Sequence, residues 1–308
     1  MTQFQSTFAS RRRLALLSAC GFATAAWSAP APEPLRVVAS FSILADMVRE
    51  VGGPAVAVTA LVGPDADAHV YTPSPADVKR VAAAQLLVFN GLGFEGWLER
   101  LVKASGYRGT VLVASQGVPP RQQVEQGHEH AGKDPHAWQN LSHGRHYVEN
   151  IRAALVQALP AQTAAITQRA RDYQAQLQAL DAELRRGLAA VPQAQRRVIT
   201  THDAFGYLGA HYGIEFLAAQ GWNSGSEPSA RDVAQLIRQI RAQRVRAVFM
   251  ENISDPRLIQ RIANEGKVTV GGTLYSDALS APAGPAASYL QMQRHNGMLL
   301  LKALRQQP

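Results

Sequence analysis

Short apolar runs alternate with amphipathic segments through the first part of the chain. The apolar runs predict strands at 35–40, 56–62, 85–90 and 110–114. The segments between them predict helices at 42–51, 75–84 and 94–104. In the first helix Ile43, Met47 and Val51 recur every four residues, and Ser74 followed by Pro75 is a typical start for the second. This alternation indicates a parallel sheet covered by helices.

A second region of the same character follows two long helical segments. A polar loop at 116–133 ends the first region, and helices are predicted at 143–159 and 161–188. Strands are then predicted at 197–200, 214–218, 245–250 and 268–271, with helices at 205–212, 230–242, 256–265 and 287–306. We therefore predict an α/β fold of two lobes, each with a mainly parallel sheet flanked by helices, joined by one long rigid linker helix. The predicted boundaries are 29–160 for the N-terminal lobe, 161–191 for the linker helix and 192–308 for the C-terminal lobe.

Residues 1–28 have the pattern of a secretory signal peptide. Three arginines at 11–13 precede an apolar stretch at 14–27, and small residues at Ala26 and Ser28 predict cleavage before Ala29. We therefore expect a periplasmic protein. The three arginines also resemble a twin-arginine signal. Cys20 could instead be the lipidated residue of a lipoprotein, but only six residues separate it from Arg13, so we favour ordinary cleavage.

Cysteine content and charge exclude several classes of function. Cys20 is the only cysteine, so a chain cleaved before Ala29 can form neither disulfides nor thiolate metal sites. Three of the eight net positive charges lie in residues 1–28, which leaves +5 on the rest of the chain. The remaining basic residues are scattered singly or in pairs. Nucleic-acid binding is therefore not expected.

Four short segments each place a metal-capable side chain in a loop beside a predicted strand or helix. The candidate ligands are His69, His136, His202 and Asp277. Three imidazoles and one carboxylate are a suitable shell for a divalent ion, zinc above all. The ligands lie roughly 70 residues apart, so only the tertiary fold can assemble them. Because ligands bind beyond the carboxyl ends of parallel strands, we predict the metal site in the cleft between the lobes.

Other residues leave alternatives open. Glu251 and Asp255 also lie near a strand end and compete with Asp277 as the carboxylate ligand. Asp203 could cap a helix or orient an imidazole. His128 and His130 are either ordinary loop histidines or a weak metal-collecting loop. The remaining histidines lie in helical patterns and are expected to be surface or core residues: His143, His146, His211 and His295.

Residues 91–96 match the pattern G-x-G-x-x-G between a predicted strand and a predicted helix. A dinucleotide site also needs an acidic residue near the end of the next strand, and that strand ends Val113-Ala114-Ser115-Gln116. We therefore interpret the glycines as a tight turn rather than a nucleotide site.

The motifs together resemble the periplasmic metal-binding proteins of zinc and manganese ABC importers, the cluster A-I family, over nearly the whole chain after residue 28. The resemblance is carried by Ala68-His69-Val70-Tyr71, Pro73-Ser74-Pro75, Asn90-Gly91-Leu92-Gly93-Phe94-Glu95, Asp134-Pro135-His136-Ala137-Trp138, Thr201-His202-Asp203-Ala204-Phe205-Gly206-Tyr207, Glu227-Pro228-Ser229 and Leu274-Tyr275-Ser276-Asp277. It implies two α/β lobes, a rigid connecting helix and one metal ion at their interface. It also implies that His69, His136, His202 and Asp277 are the ligands.

The resemblance further implies a carrier that is not an enzyme and that delivers its ion to an inner-membrane ABC permease with a cytoplasmic ATPase. Zinc members commonly have histidine at the position of His202, where manganese members have glutamate, so Zn²⁺ is expected ahead of Mn²⁺. A periplasmic metallochaperone could be a further partner, and a monomer is expected. The rival hypotheses are a zinc-dependent hydrolase, with Glu251 or Asp203 as base, and a metal-dependent adhesin. The chain has neither H-E-x-x-H nor G-x-S-x-G, and it has no repeat or wall anchor.

Overall fold

The computed structural model describes residues 1–2, 33–121, 133–221, 229–243, 245 and 247–305. The predicted signal peptide from residue 3 on, Cys20, the histidines at 128 and 130 and the dipeptide at 227–228 lie outside the described residues. Residues 1–33 and residues 34–308 form separate units by their contacts, and everything below concerns the second. Among the described residues, no helix combines the length and the apolar character needed to cross a membrane.

The first sheet is built from four parallel strands in the order β2-β1-β3-β4. The strands are β1 (Leu35–Phe41), β2 (Val56–Val62), β3 (Leu86–Phe89) and β4 (Thr110–Val113), and the helices between them are α1 (Ser42–Gly52), α2 (Pro75–Ala83) and α3 (Leu98–Ser105). Strand β1 lies inside the sheet, and six of its seven residues are buried. Helix α2 begins at the predicted place, where Ser74 and Asp77 form a reciprocal capping box.

Two long helices follow the first sheet. They are α4 (Leu141–Ala158) and α5 (Thr163–Ala189). Helix α5 has 27 residues and is therefore about 40 Å long. One apolar face of α5 is buried along its whole length, from Ile166 through Leu177 to Leu188. At its N-terminal half the Arg169 guanidinium donates to the carbonyl oxygens of Val51 and Gly52 at the end of α1.

The second sheet repeats the design of the first, with parallel strands in the order β6-β5-β7-β8. The strands are β5 (Arg197–His202), β6 (Glu215–Gln220), β7 (Ala247–Glu251) and β8 (Thr269–Leu274), and the helices are α6 (Gly206–Tyr212), α7 (Ala230–Gln243), α8 (Pro256–Gly266) and α9 (Tyr289–Arg305). The predicted class, two parallel sheets flanked by helices with one long helix between them, is confirmed. The domain boundaries stay predictions.

Two predicted element boundaries differ from the structure by three residues or more. Helix α3 begins at Leu98 rather than at residue 94, because two successive turns come before it. The N–H of Phe94 donates to the carbonyl oxygen of Gly91, and the N–H of Leu98 donates to that of Glu95. Strand β8 continues to Leu274 rather than ending at 271. Its pairing with β7 resumes after an irregularity, and Gly271 leaves room for the ring of Phe249.

The hydrophobic core is continuous across both sheets. A large cluster of buried apolar residues extends from β1 and α1 through α4 and α5 to α9 and the inner side of the second sheet. A smaller cluster lies between the second sheet and helices α7 and α8. The carboxyl ends of the strands of both sheets therefore pack against the same core, and this packing fixes the positions of the loops at those ends.

Candidate metal site

The structure brings the four predicted ligands together at the carboxyl ends of the strands. His69 lies in the loop after β2, and His202 is the last residue of β5. Asp277 follows β8 by three residues, and His136 lies just before the short 3₁₀ turn that leads into α4. Each ligand comes from a different loop or strand end. The two sheets thus meet at this site as the strand-end rule predicts.

One side-chain nitrogen or oxygen atom from each of the four candidate ligands lies close to the same point. Nε2 of His69 lies 3.3 Å from Nε2 of His136, and both His69 and His202 have Nε2 3.1 Å from Oδ2 of Asp277. Nε2 of His136 is 3.6 Å from Oδ1 of Asp277. One ligand atom from each of the four residues can be chosen so that all lie within 4.8 Å of one another.

These separations suit a small divalent ion. A tetrahedral shell with zinc–ligand bonds of about 2.0–2.1 Å has edges of about 3.3 Å, close to the separations around Asp277. Oδ1 of Asp277 is buried and accepts no hydrogen bond from any described residue. The four side chains are also withdrawn from solvent, because His136, His202 and Asp277 are fully buried and the His69 side chain is only 6% exposed.

His136 is held by a carboxylate from its own segment. Oδ1 of Asp134 accepts a hydrogen bond from the backbone N–H of His136 at 3.0 Å and lies 2.9 Å from Nδ1 of its ring. Oδ2 of Asp134 accepts from the Arg121 guanidinium at 3.1 Å. With Nδ1 facing Asp134, the other ring nitrogen of His136 is turned towards Asp277 as a metal ligand requires.

His202 is held in a parallel manner by a carboxylate from another strand. Oε1 of Glu251, at the end of β7, accepts from the backbone N–H of His202 at 2.8 Å. Oε2 of the same carboxylate lies 2.6 Å from Nδ1 of the His202 ring. The contact is possible because β5 and β7 are neighbours in the second sheet. Glu251 therefore supports a ligand position, and Asp277 rather than Glu251 lies among the three imidazoles.

The charges around the site favour a dication. Three carboxylates at the site are buried, those of Asp134, Glu251 and Asp277, and only Asp134 is paired with an arginine among the described residues, Arg121. Burial alone would lower the pKa of His136, but the charge of Asp277 and the hydrogen bond to Asp134 raise it to about 9. Burial would likewise lower the pKa of His202, yet the charges of Glu251 and Asp277 hold it well above its usual value. Protons on the two imidazoles, or one divalent ion, can balance the excess negative charge.

The carboxyl of Asp277 responds to the same neighbours. Burial would raise its pKa, but the charges of His136 and His202 hold it well below the usual value. Asp277 is therefore an anion at neutral pH. An anionic oxygen among imidazole nitrogens is a suitable fourth donor for zinc.

The glycine turn that resembles a nucleotide motif forms one wall of the site. The ring of Phe94 contacts the ring of His69 edge-on, with centroids 4.7 Å apart. Glu95 is buried beneath it, accepts from Ser40 Oγ and from the backbone N–H groups of Asn90 and Gly91, and burial raises its pKa to about 7. The glycine pattern predicts the turn but assigns no role to Phe94 or Glu95. An aromatic and an acidic residue between two glycines is the only feature of the sequence that could have indicated a role for them.

The remaining candidates lie elsewhere. Asp255 caps α8 and forms an exposed pair with Arg257.

The other histidines make separate contacts. His146 contacts the carbonyl oxygen of Gln116, and His211 contacts Asp181 on α5. His143 packs against Tyr207, and His295 lies 3.0 Å from the carbonyl oxygen of Thr273. None of these histidines belongs to the group of ligand atoms found among the described residues. Asp203 is buried, and burial raises its pKa.

A family profile and individual relatives of known function match most of the chain. The sequence profile of "Zinc-uptake complex component A periplasmic" (ZnuA) matches residues 37–303. The manganese-binding lipoprotein MntA of Bacillus subtilis is 32% identical over 294 residues, which cover 94% of this chain and 95% of MntA. The manganese ABC transporter substrate-binding lipoprotein PsaA of Streptococcus pneumoniae is 27% identical and covers 91% of each chain.

A solved structure agrees with the sequence relatives. The zinc-binding protein TroA of Treponema pallidum is 33% identical over 274 residues, which cover 87% of this chain and 88% of TroA. The structure of this periplasmic zinc-binding protein matches with a TM-score of 0.82 and 31% identity, covering 89% of this chain and 100% of the TroA chain. The chain therefore belongs to the zinc-uptake complex component A family and is a metal-binding, substrate-binding protein of the class that serves ABC importers.

Proposed function

We propose that the protein captures Zn²⁺ outside the inner membrane and delivers it to an ABC permease driven by a cytoplasmic ATPase. The carrying observation is the buried group of three imidazoles and one carboxylate that His69, His136, His202 and Asp277 form. These four residues are the proposed ligands. Imidazole nitrogen suits zinc, whereas manganese prefers more oxygen donors and a higher coordination number. Zinc is the cargo of this site rather than a resident cofactor.

The site favours a carrier over a catalyst. Four protein donors complete a tetrahedral shell, whereas catalytic zinc keeps a position for water or substrate. The site is also enclosed, with three of the four side chains fully buried. Glu251, one of the two bases that a hydrolase could use, already contacts the backbone N–H and the ring of His202.

Manganese is the alternative cargo, because MntA and PsaA are named for manganese. A competition titration separates the two ions. Protein from Ala29 onward is stripped of metal and titrated with zinc and with manganese against chelators of known affinity. We expect one zinc per chain at nanomolar Kd or tighter, with manganese far weaker. Equal or preferred manganese binding would assign the site to manganese, and no tight site for either ion would overturn the proposal.

A further inference from the structure

Asp65 lies outside the ligand set but connects the loops that carry it. It belongs to the same loop as His69, four residues earlier, in the turn that follows β2. Its backbone has φ of +52°, a left-handed conformation that few non-glycine residues adopt and that Asp and Asn tolerate best. The turn geometry alone would accept glycine or asparagine, so the contacts of the carboxylate need a separate explanation.

The segment 276–281, which carries Asp277, is fastened on both sides of that residue by the first half of the chain. Before Asp277, the carbonyl oxygen of Ser276 accepts from Trp138 Nε1 at 2.9 Å and from Gln139 Nε2 at 2.6 Å. After Asp277, the N–H of Leu279 donates to Ser42 Oγ at 3.0 Å. The position of Asp277 thus depends on contacts made across the molecule rather than on its own strand.

Asp65 makes two of the hydrogen bonds that hold the segment 276–281 on the C-terminal side of Asp277. Its backbone N–H donates to the carbonyl oxygen of Leu279 at 2.9 Å, and its Oδ2 accepts from the N–H of Ala281 at 3.1 Å. Its Oδ1 accepts from Asn252 Nδ2 at 3.0 Å. Asn252 directly follows Glu251, the carboxylate that supports His202. One side chain therefore joins the loop of His69, the segment of Asp277 and the end of β7.

We propose that Asp65 is a positioning residue for metal binding, which holds Asp277 within reach of the ion by fastening the segment 276–281 to the loop of His69. This inference rests on the proposed function. Asp65 does not touch the ion; it acts through Asp277, whose Oδ2 lies 3.1 Å from Nε2 of His69. Groups that orient metal ligands from outside typically change affinity by about 10- to 100-fold when altered.

Two substitutions test the role of the carboxylate without straining the turn. Asp65→Gly removes the side chain and accepts the positive φ, and Asp65→Asn keeps one oxygen that can accept from Ala281 but turns its amide group towards Asn252. Asp172→Asn on α5 is the matched control, because Asp172 is exposed and accepts a hydrogen bond from Gln168 one turn away on the same helix. Zinc Kd is measured by chelator competition, and the thermal unfolding of each metal-free variant checks that it folds.

We expect Asp65→Gly to weaken zinc binding by about 10- to 100-fold, Asp65→Asn by less, and Asp172→Asn by less than about twofold. The decisive readout is the same change in an Asp277→Ala background, where Asp65→Gly should have almost no further effect because the ligand through which it acts is gone. Wild-type affinity in Asp65→Gly, or an equal loss in the Asp277→Ala background, would overturn the inference alone. Absence of zinc binding by the wild-type chain would overturn the proposed function and this inference with it.

Discussion

The two deepest histidines of the site receive the same support by different routes along the chain. His136 and His202 each have a backbone N–H that donates to a carboxylate and a ring Nδ1 that faces the same carboxylate. For His136 the carboxylate is Asp134, two residues earlier. For His202 it is Glu251, 49 residues later on a neighbouring strand. The supporting carboxylate is thus close in sequence for His136 and distant in sequence for His202.

The two carboxylates also differ in how they use their two oxygens. Asp134 uses one oxygen for both contacts with His136 and gives the other to Arg121. Glu251 uses one oxygen for the backbone and the other for the ring of His202. Removing one oxygen should therefore matter more at Glu251 than at Asp134, although each of them supports one of the proposed histidine ligands.

The pH dependence of zinc binding tests both halves together and should be the largest effect. Despite its burial, the charge of Asp277 and the hydrogen bond to Asp134 raise the pKa of His136 to about 9, so this ring carries a proton in the metal-free protein at pH 7. The charges of Glu251 and Asp277 likewise hold the pKa of His202 well above its usual value. Because zinc must displace a proton from each protonated ring, we expect affinity to fall as the pH is lowered. The proton of His136 accounts for about one decade per pH unit below about pH 9, and the fall should be steeper where His202 is protonated as well. Calorimetric titration in buffers of different ionisation enthalpy counts the released protons. Affinity that is independent of pH down to about 5 would contradict histidine ligation.

The raised pKa of His136 also has a consequence for the metal-free fold. Because its folded pKa of about 9 exceeds the ordinary 6.5, the stabilisation from this charge is complete below about pH 6.5. It is lost as the pH rises through about 9. Thermal unfolding of the metal-free protein should therefore show a lower Tm at pH 9 than at pH 6.5, and the same Tm at both would contradict the shift.

Loss of one imidazole comes next in size. We expect His202→Ala and His136→Ala each to weaken zinc binding by about 3 kcal/mol, roughly a hundredfold in Kd. His146→Ala is the control, because His146 is exposed and lies outside the group of ligand atoms. Chelator competition gives the three Kd values. Unchanged affinity in either ligand variant would remove that histidine from the proposed shell.

Glu251→Gln should weaken zinc binding by about 10- to 100-fold. A glutamine cannot present oxygen both to the backbone N–H and to the ring N–H of His202. Its amide group would then donate to Nδ1 and leave the proton on Nε2, the nitrogen that faces Asp277. The competition titration measures this loss, and nitrogen NMR of the imidazole reports the tautomer. Wild-type affinity would show that Glu251 does not orient His202.

Asp134→Asn should have the smallest effect, below about tenfold. An asparagine can keep its oxygen towards His136 and preserve both contacts there, while its amide group meets Arg121 less favourably. The same titration applied to both variants gives the comparison directly. A larger loss for Asp134→Asn than for Glu251→Gln would reverse the proposed difference between the local and the tertiary support.

The sequence predicted those parts of the site that depend on short segments. The four candidate ligands stand in loops next to apolar strands, and the strand-end rule places such loops together, so His69, His136, His202 and Asp277 could be named. Their role as ligands stays a proposal, although the structure brings them together. Helix α5 was predicted within two residues at its start and one at its end, because its apolar stripe is long and uninterrupted.

Contacts between distant segments could not be predicted. Glu251 lies near a strand end and so competes with Asp277 as a candidate ligand in the sequence. Its role beside His202 depends on the spatial strand order β6-β5-β7-β8, which does not follow from residue patterns alone. The apolar pattern predicts Phe94 at the start of a helix, but in the structure its N–H donates to the carbonyl oxygen of Gly91 and closes a turn of three residues with positive φ. The ring of Phe94 then contacts His69. Asp65 is an exposed turn residue with no distinguishing pattern, and only its contacts with the segment 276–281 give it a role.

The most direct test of the shared site is a crystal structure of the zinc-loaded protein with anomalous data collected at the zinc edge. We expect one anomalous peak per chain, bonded to Nε2 of His69, His136 and His202 and to a carboxylate oxygen of Asp277. Asp134 and Glu251 should contact the two histidine rings from behind. A peak at other residues, or an ion bound by the C-terminal or N-terminal ligands alone, would contradict a single site assembled from both halves of the chain.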